Sequence, residues 1–243
     1  MVGNRAIDDV ELKLSVPHDQ MGAVGRALGL DILHASIRQV YFFDTPDLFL
    51  FDKGMILRAR RNQVGDHDAV VKIRPVVPDQ IESVWRDNPG HKIELDIMLG
   101  NEVCSSSLKV PVPDNRIGKT VTGERSIEKL FSKEQRAFLA QRTDVEIPWD
   151  RLVPLGPVNV LKLKQALPGF PYKVVAELWR YPDMSELFEL SMKCSPAETV
   201  QARADARAYI GGLGLEANAE QETKTRKALE FFAAQYAAAD TPA

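Results

Sequence analysis

Cysteine is nearly missing from this chain: Cys104 and Cys194 are its only two. Two cysteines cannot build a disulfide framework, and neither CxxC nor a metal-finger spacing occurs. A reducing, cytoplasmic setting is therefore expected. No apolar run approaches the ~18 residues needed to span a bilayer. The opening MVGNRAIDDVELKL carries no apolar signal core. Net charge is small, −3 over 243 residues, so no global basic field draws in nucleic acid. His18, His34, His67 and His91 are scattered, without HExxH or triad spacing. Gly118-Lys119-Thr120 copies the end of a phosphate-binding loop, but Pro113 stands where that motif needs its first glycine. Gly211-Gly212-Leu213-Gly214 lacks the strand before and helix after of a dinucleotide site and reads as a helix C-cap. No internal repeat occurs.

What is present is a hydrophobic content of 44% and a charged content of 27%, which suits a soluble globule with a real core. Its charges are ordered. Asp9, Glu11 and Lys13 alternate with Val10, Leu12 and Leu14. Arg58 and Arg60 alternate with Leu57 and Ala59, Lys72 and Arg74 with Val71 and Ile73, Lys162 and Lys164 with Leu161 and Leu163. Period two means that each strand has one apolar face and one charged face. Two guanidiniums side by side repel by roughly 4 kcal/mol at ~4 Å for an effective dielectric near ~20. An anion, or water, should sit between them.

The stretch 41–61, YFFDTPDLFLFDKGMILRARR, organises the rest. It reads as a strand, a turn at Asp44-Thr45-Pro46-Asp47, a second turn at Gly54, and another strand. Strands are also expected at 7–16, 69–75, 81–86, 91–98, 144–147, 158–166, 172–181 and 186–194. Glu94 and Asp96 share a face of strand 91–98 without an assigned role. Residues 104–123 read as loop with room for one strand. Helices are expected at 18–29, 124–142, 196–211 and 218–236, the third opened by the capping sequence Ser195-Pro196-Ala197-Glu198. Trp85, Trp149 and Trp179 read as core. Helical crossovers are too few for a doubly wound sheet, so an antiparallel α+β fold is expected. The residues alone leave two arrangements open: a sandwich with charges outside, or a barrel with charges inside and helices over its apolar exterior.

Lysine and arginine on several strands suit an oligophosphate, and the pair Asp9 and Glu11 suits a hard divalent cation. With these residues in view, the chain resembles the CYTH family, also called triphosphate tunnel metalloenzymes. Asp9-Val10-Glu11-Leu12-Lys13 is similar to its ExExK signature, and 41–61 to its YFDTPD…LRxRR segment, the most specific match. Lys72-Ile73-Arg74 resembles its KxR strand and 187–191 its late acidic strand, while Ala176-Glu177-Leu178-Trp179 and 221–226 look like members often labelled adenylate cyclase. Asp9 stands where the signature has Glu, and Ser191 where many members place a second Glu.

The resemblance implies a closed antiparallel eight-stranded β-barrel over 5–213, with helices packed outside and a C-terminal helical extension at 214–243. It implies a metal-dependent triphosphatase acting on inorganic tripolyphosphate or an organic triphosphate inside a charged tunnel, with Mg2+ or Mn2+. Asp9, Glu11 and Glu189 would bind metal. Lys13, Arg58, Arg60, Lys72, Arg74 and Lys162 would hold phosphate oxygens, with Lys164 and Lys193 as further candidates. Glu11, Glu177 and Arg58 would carry the chemistry. Two alternatives stay open: an adenylate cyclase making cyclic AMP, and a non-catalytic triphosphate or polyphosphate binder, which Ser191 favours. The expected partner is a triphosphate-containing small molecule, with no nucleic acid and no membrane, and a homodimer is left open.

Overall fold

The computed structural model describes residues 7–98, 101–141, 146–214 and 223–239. Nine strands occur among them: β1 Asp9–Val16, β2 Ser36–Asp44, β3 Met55–Asn62, β4 Asp68–Ile73, β5 His91–Met98, β6 Asn101–Pro111, β7 Val153–Ala166, β8 Lys173–Arg180 and β9 Glu186–Cys194. The helices are α1 Met21–Ala27, α2 Phe49–Asp52, α3 Ser83–Arg86, α4 Asp114–Val121, α5 Lys133–Ala140, α6 Thr199–Gly212 and α7 Lys224–Ala239. The strands close into a barrel in the order β1-β5-β6-β4-β3-β2-β7-β8-β9.

The α+β barrel matches expectation, but the eight all-antiparallel strands do not. The ring has nine strands, and β1 runs parallel to β5. An odd ring cannot alternate direction all the way round, so one parallel pair is unavoidable. The added strand is β6, which falls mainly where a loop was expected. Its run Ser105-Ser106-Ser107 has weak intrinsic strand preference, and its place between β5 and β4 imposes the extended form. Buried Ser106 is satisfied by the His91 ring at 2.7 Å.

The expected strand at 81–86 is instead the helical turn α3, anchored by buried Trp85 against Phe138. The expected helix 124–142 breaks into a 3-10 turn, Ile127–Leu130, and α5. Ser132 and Gln135 form the capping box that starts α5 afresh. Gln135 also donates to the carbonyls of Ala69 and Leu108, both at 2.9 Å, and so ties α5 to the barrel wall. Part of the expected strand 144–147, and the start of the expected helix 218–236, lie outside the described residues.

Register decides which face is inside. Arg58 pairs with Phe42 and Arg60 with Val40, Lys162 with Glu177, and Glu177 with Glu189. Cross-strand partners share a face, so all of these side chains point into the barrel. Leu57, Ala59, Val71 and Ile73 point outward and are covered by Ile117 of α4 and Phe138 and Leu139 of α5. On the opposite side, Val24 of α1 covers Leu163, Ala176 and Leu190. The barrel with charges inside is therefore the arrangement adopted. One end of its interior is apolar, where Val40, Phe42, Val160 and Trp179 meet Ala228, Leu229 and Phe232 of α7. That helix closes this side of the barrel as a plug.

Candidate functional site

The rest of the interior is charged. Lys13 of β1 bridges Asp96 of β5 at 2.9 Å and Glu11 at 3.3 Å, and Lys72 of β4 meets the other Asp96 oxygen at 3.3 Å. Burial would raise the Asp96 carboxyl, but the two ammoniums outweigh it and hold it well below the usual carboxylate range. The same balance lowers Glu11, where Lys13 and Lys224 oppose the cost of burial.

Across the chamber, Lys224 at the start of α7 reaches between two acids of the sheet. Its Nζ lies 2.6 Å from Glu177 Oε2 and 2.7 Å from Glu189 Oε1. Lys162 at 3.4 Å and Arg38 at 3.9 Å approach the other Glu177 oxygen, and the Trp179 indole donates to Oε2 at 3.2 Å. Burial works against the Glu177 carboxylate, yet Lys224 and Lys162 hold its pKa well below normal. Burial likewise works against the Lys224 ammonium, but Glu177 and Glu189 raise its pKa. This proton is firmly held.

The arginine pair of β3 splits. Arg60 makes a two-pronged bridge to Asp68, at 2.8 and 2.9 Å. Arg58 has no salt bridge among the described residues, and its buried Nε has no hydrogen-bond partner. Desolvation first, then neighbouring Arg60, pushes its pKa down to about 10.

The expected site residues thus fall into groups. Glu11, Lys13, Arg58, Arg60, Lys72, Lys162, Glu177 and Glu189 face one chamber. Asp9 lies at the rim, engaged by Lys92 at 2.7 Å and Lys193 at 3.5 Å, and Lys193 also pairs with Glu94. Arg74 lines the same chamber at the end away from Asp9, beside the ring of Phe51. Lys164 is exposed near the end of β7. Three groups were missed. Asp96 was seen on the right face but given no role. Arg38 alternates correctly with Val40 and Phe42, a signal that was there to use. Lys224 fell within the 221–226 resemblance but received no role, because its place depends on how α7 docks.

The expected metal set does not converge. Glu189 is opposite Ser15 in register, whereas Glu11 is opposite Lys193. At ~3.3 Å per residue, Asp9 and Glu189 are roughly 20 Å apart along the sheet. Among the described residues no three His, Cys, Asp or Glu side chains cluster as a metal cage. The Mg2+ or Mn2+ implied by the resemblance does not fit Asp9, Glu11 and Glu189 as they stand, and the Lys224 ammonium already neutralises the carboxylates of Glu177 and Glu189.

Comparison with known proteins places the fold. A solved candidate adenylate cyclase from Bacillus halodurans superposes with a TM-score of 0.63 at 13% identity, covering 91% of this chain and 96% of its own. A candidate adenylyl cyclase from Hippeastrum, described as having a dominant triphosphatase activity, gives 0.65 at 13% identity, covering 93% and 96%. No family model and no curated protein matches the sequence. The chain therefore shares the fold of these two proteins, and its own version of it is a closed barrel with a charged lumen. No helix among the described residues is long and apolar enough to cross a membrane.

Proposed function

We propose that this protein binds a triphosphate inside the barrel and hydrolyses its terminal phosphoanhydride. The observation that carries this reading is Arg58. A buried guanidinium without an ion pair is costly unless an anion completes it. It stands beside Arg60, Lys72 and Lys13, whose own carboxylate partners are shared or already neutralised. Several cations on different strands suit several linked phosphoryl groups better than one.

In this reading Arg58 and Lys72 take the oxygens of the transferred group, and Lys13 takes those of the adjoining phosphate. Water attacks the terminal phosphorus, the bridging P–O bond breaks, and orthophosphate and diphosphate leave. Glu11, on the chamber wall beside Lys13, orients the water. The guanidinium stabilises charge that grows on the transferred group. Any divalent ion supplies further charge neutralisation, and no step here depends on it. The chamber cavity, about 80 Å3, is lined by Lys13, Arg58, Lys72 and Lys224.

A second reading, binding without turnover, is favoured by the carboxylates. Glu177 is clamped by Lys224 and Lys162, and its lowered pKa makes it a weak base. Incubation with tripolyphosphate, ATP and thiamine triphosphate, with and without Mg2+ or Mn2+, separates the readings. Orthophosphate release from tripolyphosphate is expected. Tight binding without release leaves the binder, and cyclic AMP from ATP would replace both with a cyclase.

A further inference from the structure

The chamber is continuous with a groove at the end of the barrel, since Arg74, Asn101, Val103 and Thr223 line both. The groove is wide, about 1440 Å3, and is lined by Phe51, Lys53, His18 and Arg226 as well. Its centre is an aromatic ring between cations. The Arg74 guanidinium carbon lies 6.0 Å from the Phe51 centroid, and that of Arg226 lies 5.3 Å from it. Arg74 has no salt bridge among the described residues, and the positive charge of Arg226 works against it. Arg226 pairs with Glu230 at 3.2 Å, an exposed (i, i+4) contact that is worth little. Among the described residues the acids lining the groove are Asp52 and Glu186, and Glu186 is already taken by Arg180.

These parts are held in place. Buried Asp44 accepts the backbone N–H groups of Leu50 at 2.8 Å and Phe51 at 2.9 Å, which fixes the ring-bearing turn α2. Gly54 has φ +73°, and a Cβ there would come 2.0 Å from the Arg74 carbonyl oxygen. The Arg74 N–H donates to the Gly54 carbonyl at 2.8 Å. The turn and the Arg74 backbone therefore pack as one unit, which only glycine at position 54 permits.

We propose that this groove is a second phosphoryl-binding seat outside the chamber, in which Arg74 and Arg226 beside Phe51 hold a phosphate anion. The proposal rests on the chamber being a triphosphate site. The phosphate has two possible sources: a further unit of a chain already seated in the chamber, or a free orthophosphate.

Titration calorimetry with tripolyphosphate, a longer linear polyphosphate and orthophosphate distinguishes them, using wild type, Arg226→Gln and Arg58→Ala. Arg226 does not line the chamber, so Arg226→Gln should bind tripolyphosphate within about twofold of wild type. If the seat takes the continuing chain, the longer polyphosphate binds wild type more tightly than tripolyphosphate, and Arg226→Gln removes roughly tenfold of that advantage. If it takes a free anion, orthophosphate binds one per protein to the tripolyphosphate-saturated wild type, and Arg226→Gln weakens it by a similar factor. Absence of both effects in wild type, or their survival in Arg226→Gln, overturns the seat. Unchanged tripolyphosphate affinity in Arg58→Ala overturns the chamber reading instead, whichever way the groove behaves.

Discussion

The two walls of the chamber carry similar charged residues and balance them in different ways. On the wall formed by β7, β8 and β9, Glu177 and Glu189 are neutralised from within the chain by Lys224, with Lys162 close by. On the wall formed by β3 and β4, Arg58 has no ion pair among the described residues and Lys72 shares Asp96 with Lys13. One wall is complete; the other leaves the buried Nε of Arg58 unpaired. Charge satisfied internally contributes to folding, and charge left unsatisfied is kept at a cost for binding. The C-terminal helix makes this division, because its Lys224 neutralises the acidic wall.

Removing the internal cation should have the largest effect. Lys224→Met leaves two cross-strand carboxylates facing each other without their shared ammonium. A loss of about 3 kcal/mol is expected from breaking such a pair, read by urea denaturation. Adding Glu189→Gln should restore a large part of it. If the single variant is as stable as wild type, Lys224 does not tie α7 to the wall.

Arg58→Met should do the reverse. It removes an unpaired buried charge, so stability should hold or rise, while tripolyphosphate affinity falls by roughly 10- to 100-fold. A destabilised variant with normal affinity would make Arg58 a structural residue and erase the contrast between the walls.

Acid should weaken the completed wall. Glu177 and Asp96 ordinarily titrate at 4.5 and 3.8, and both are lowered in the folded chain. The folded state then binds fewer protons than the unfolded state, so stability rises with pH across that window. The stabilisation is fully present above the unfolded values and is lost as pH falls through the lowered ones. The share of stability owed to these two carboxylates should be flat from neutrality to about pH 5 and drop below about pH 4, against the opposite slope of Asp44, whose pKa burial raises to about 6. In Lys224→Met the drop should be shallower, since the chief cause of the Glu177 shift apart from burial is gone. Equal slopes would contradict the assignment.

The smallest effect is expected at Lys164, exposed near the end of β7 and away from both walls. Lys164→Ala should change tripolyphosphate affinity by no more than about twofold, and that through long-range field alone. A tenfold loss would move the binding surface toward that rim.

Period-two alternation made the charged strands legible, because a strand turns successive side chains to opposite faces whatever lies around it. Arg58, Arg60, Lys72, Lys13 and Glu11 were found in that way. The same rule could not place β6, whose serines carry no apolar alternation, nor separate α5 from the turn before it, where the break depends on a side-chain cap. The family resemblance, not alternation, set Asp9 and Glu189 together as metal ligands. Alternation fixes the face of a residue but not its height in the barrel, and register put the two far apart.

The sequence by itself determined which side chains share a face, where the main turns fall, and that the strands are half apolar and half charged. These are local consequences of backbone geometry and residue type. Tertiary structure decided that the charged faces point inward, that nine strands close with one parallel pair, and that Lys224 lies between Glu177 and Glu189. Each of those depends on segments distant in the chain meeting in one register, and the free energy that selects the register comes from the packed whole: helices over the apolar exterior, and α7 filling one end of the lumen.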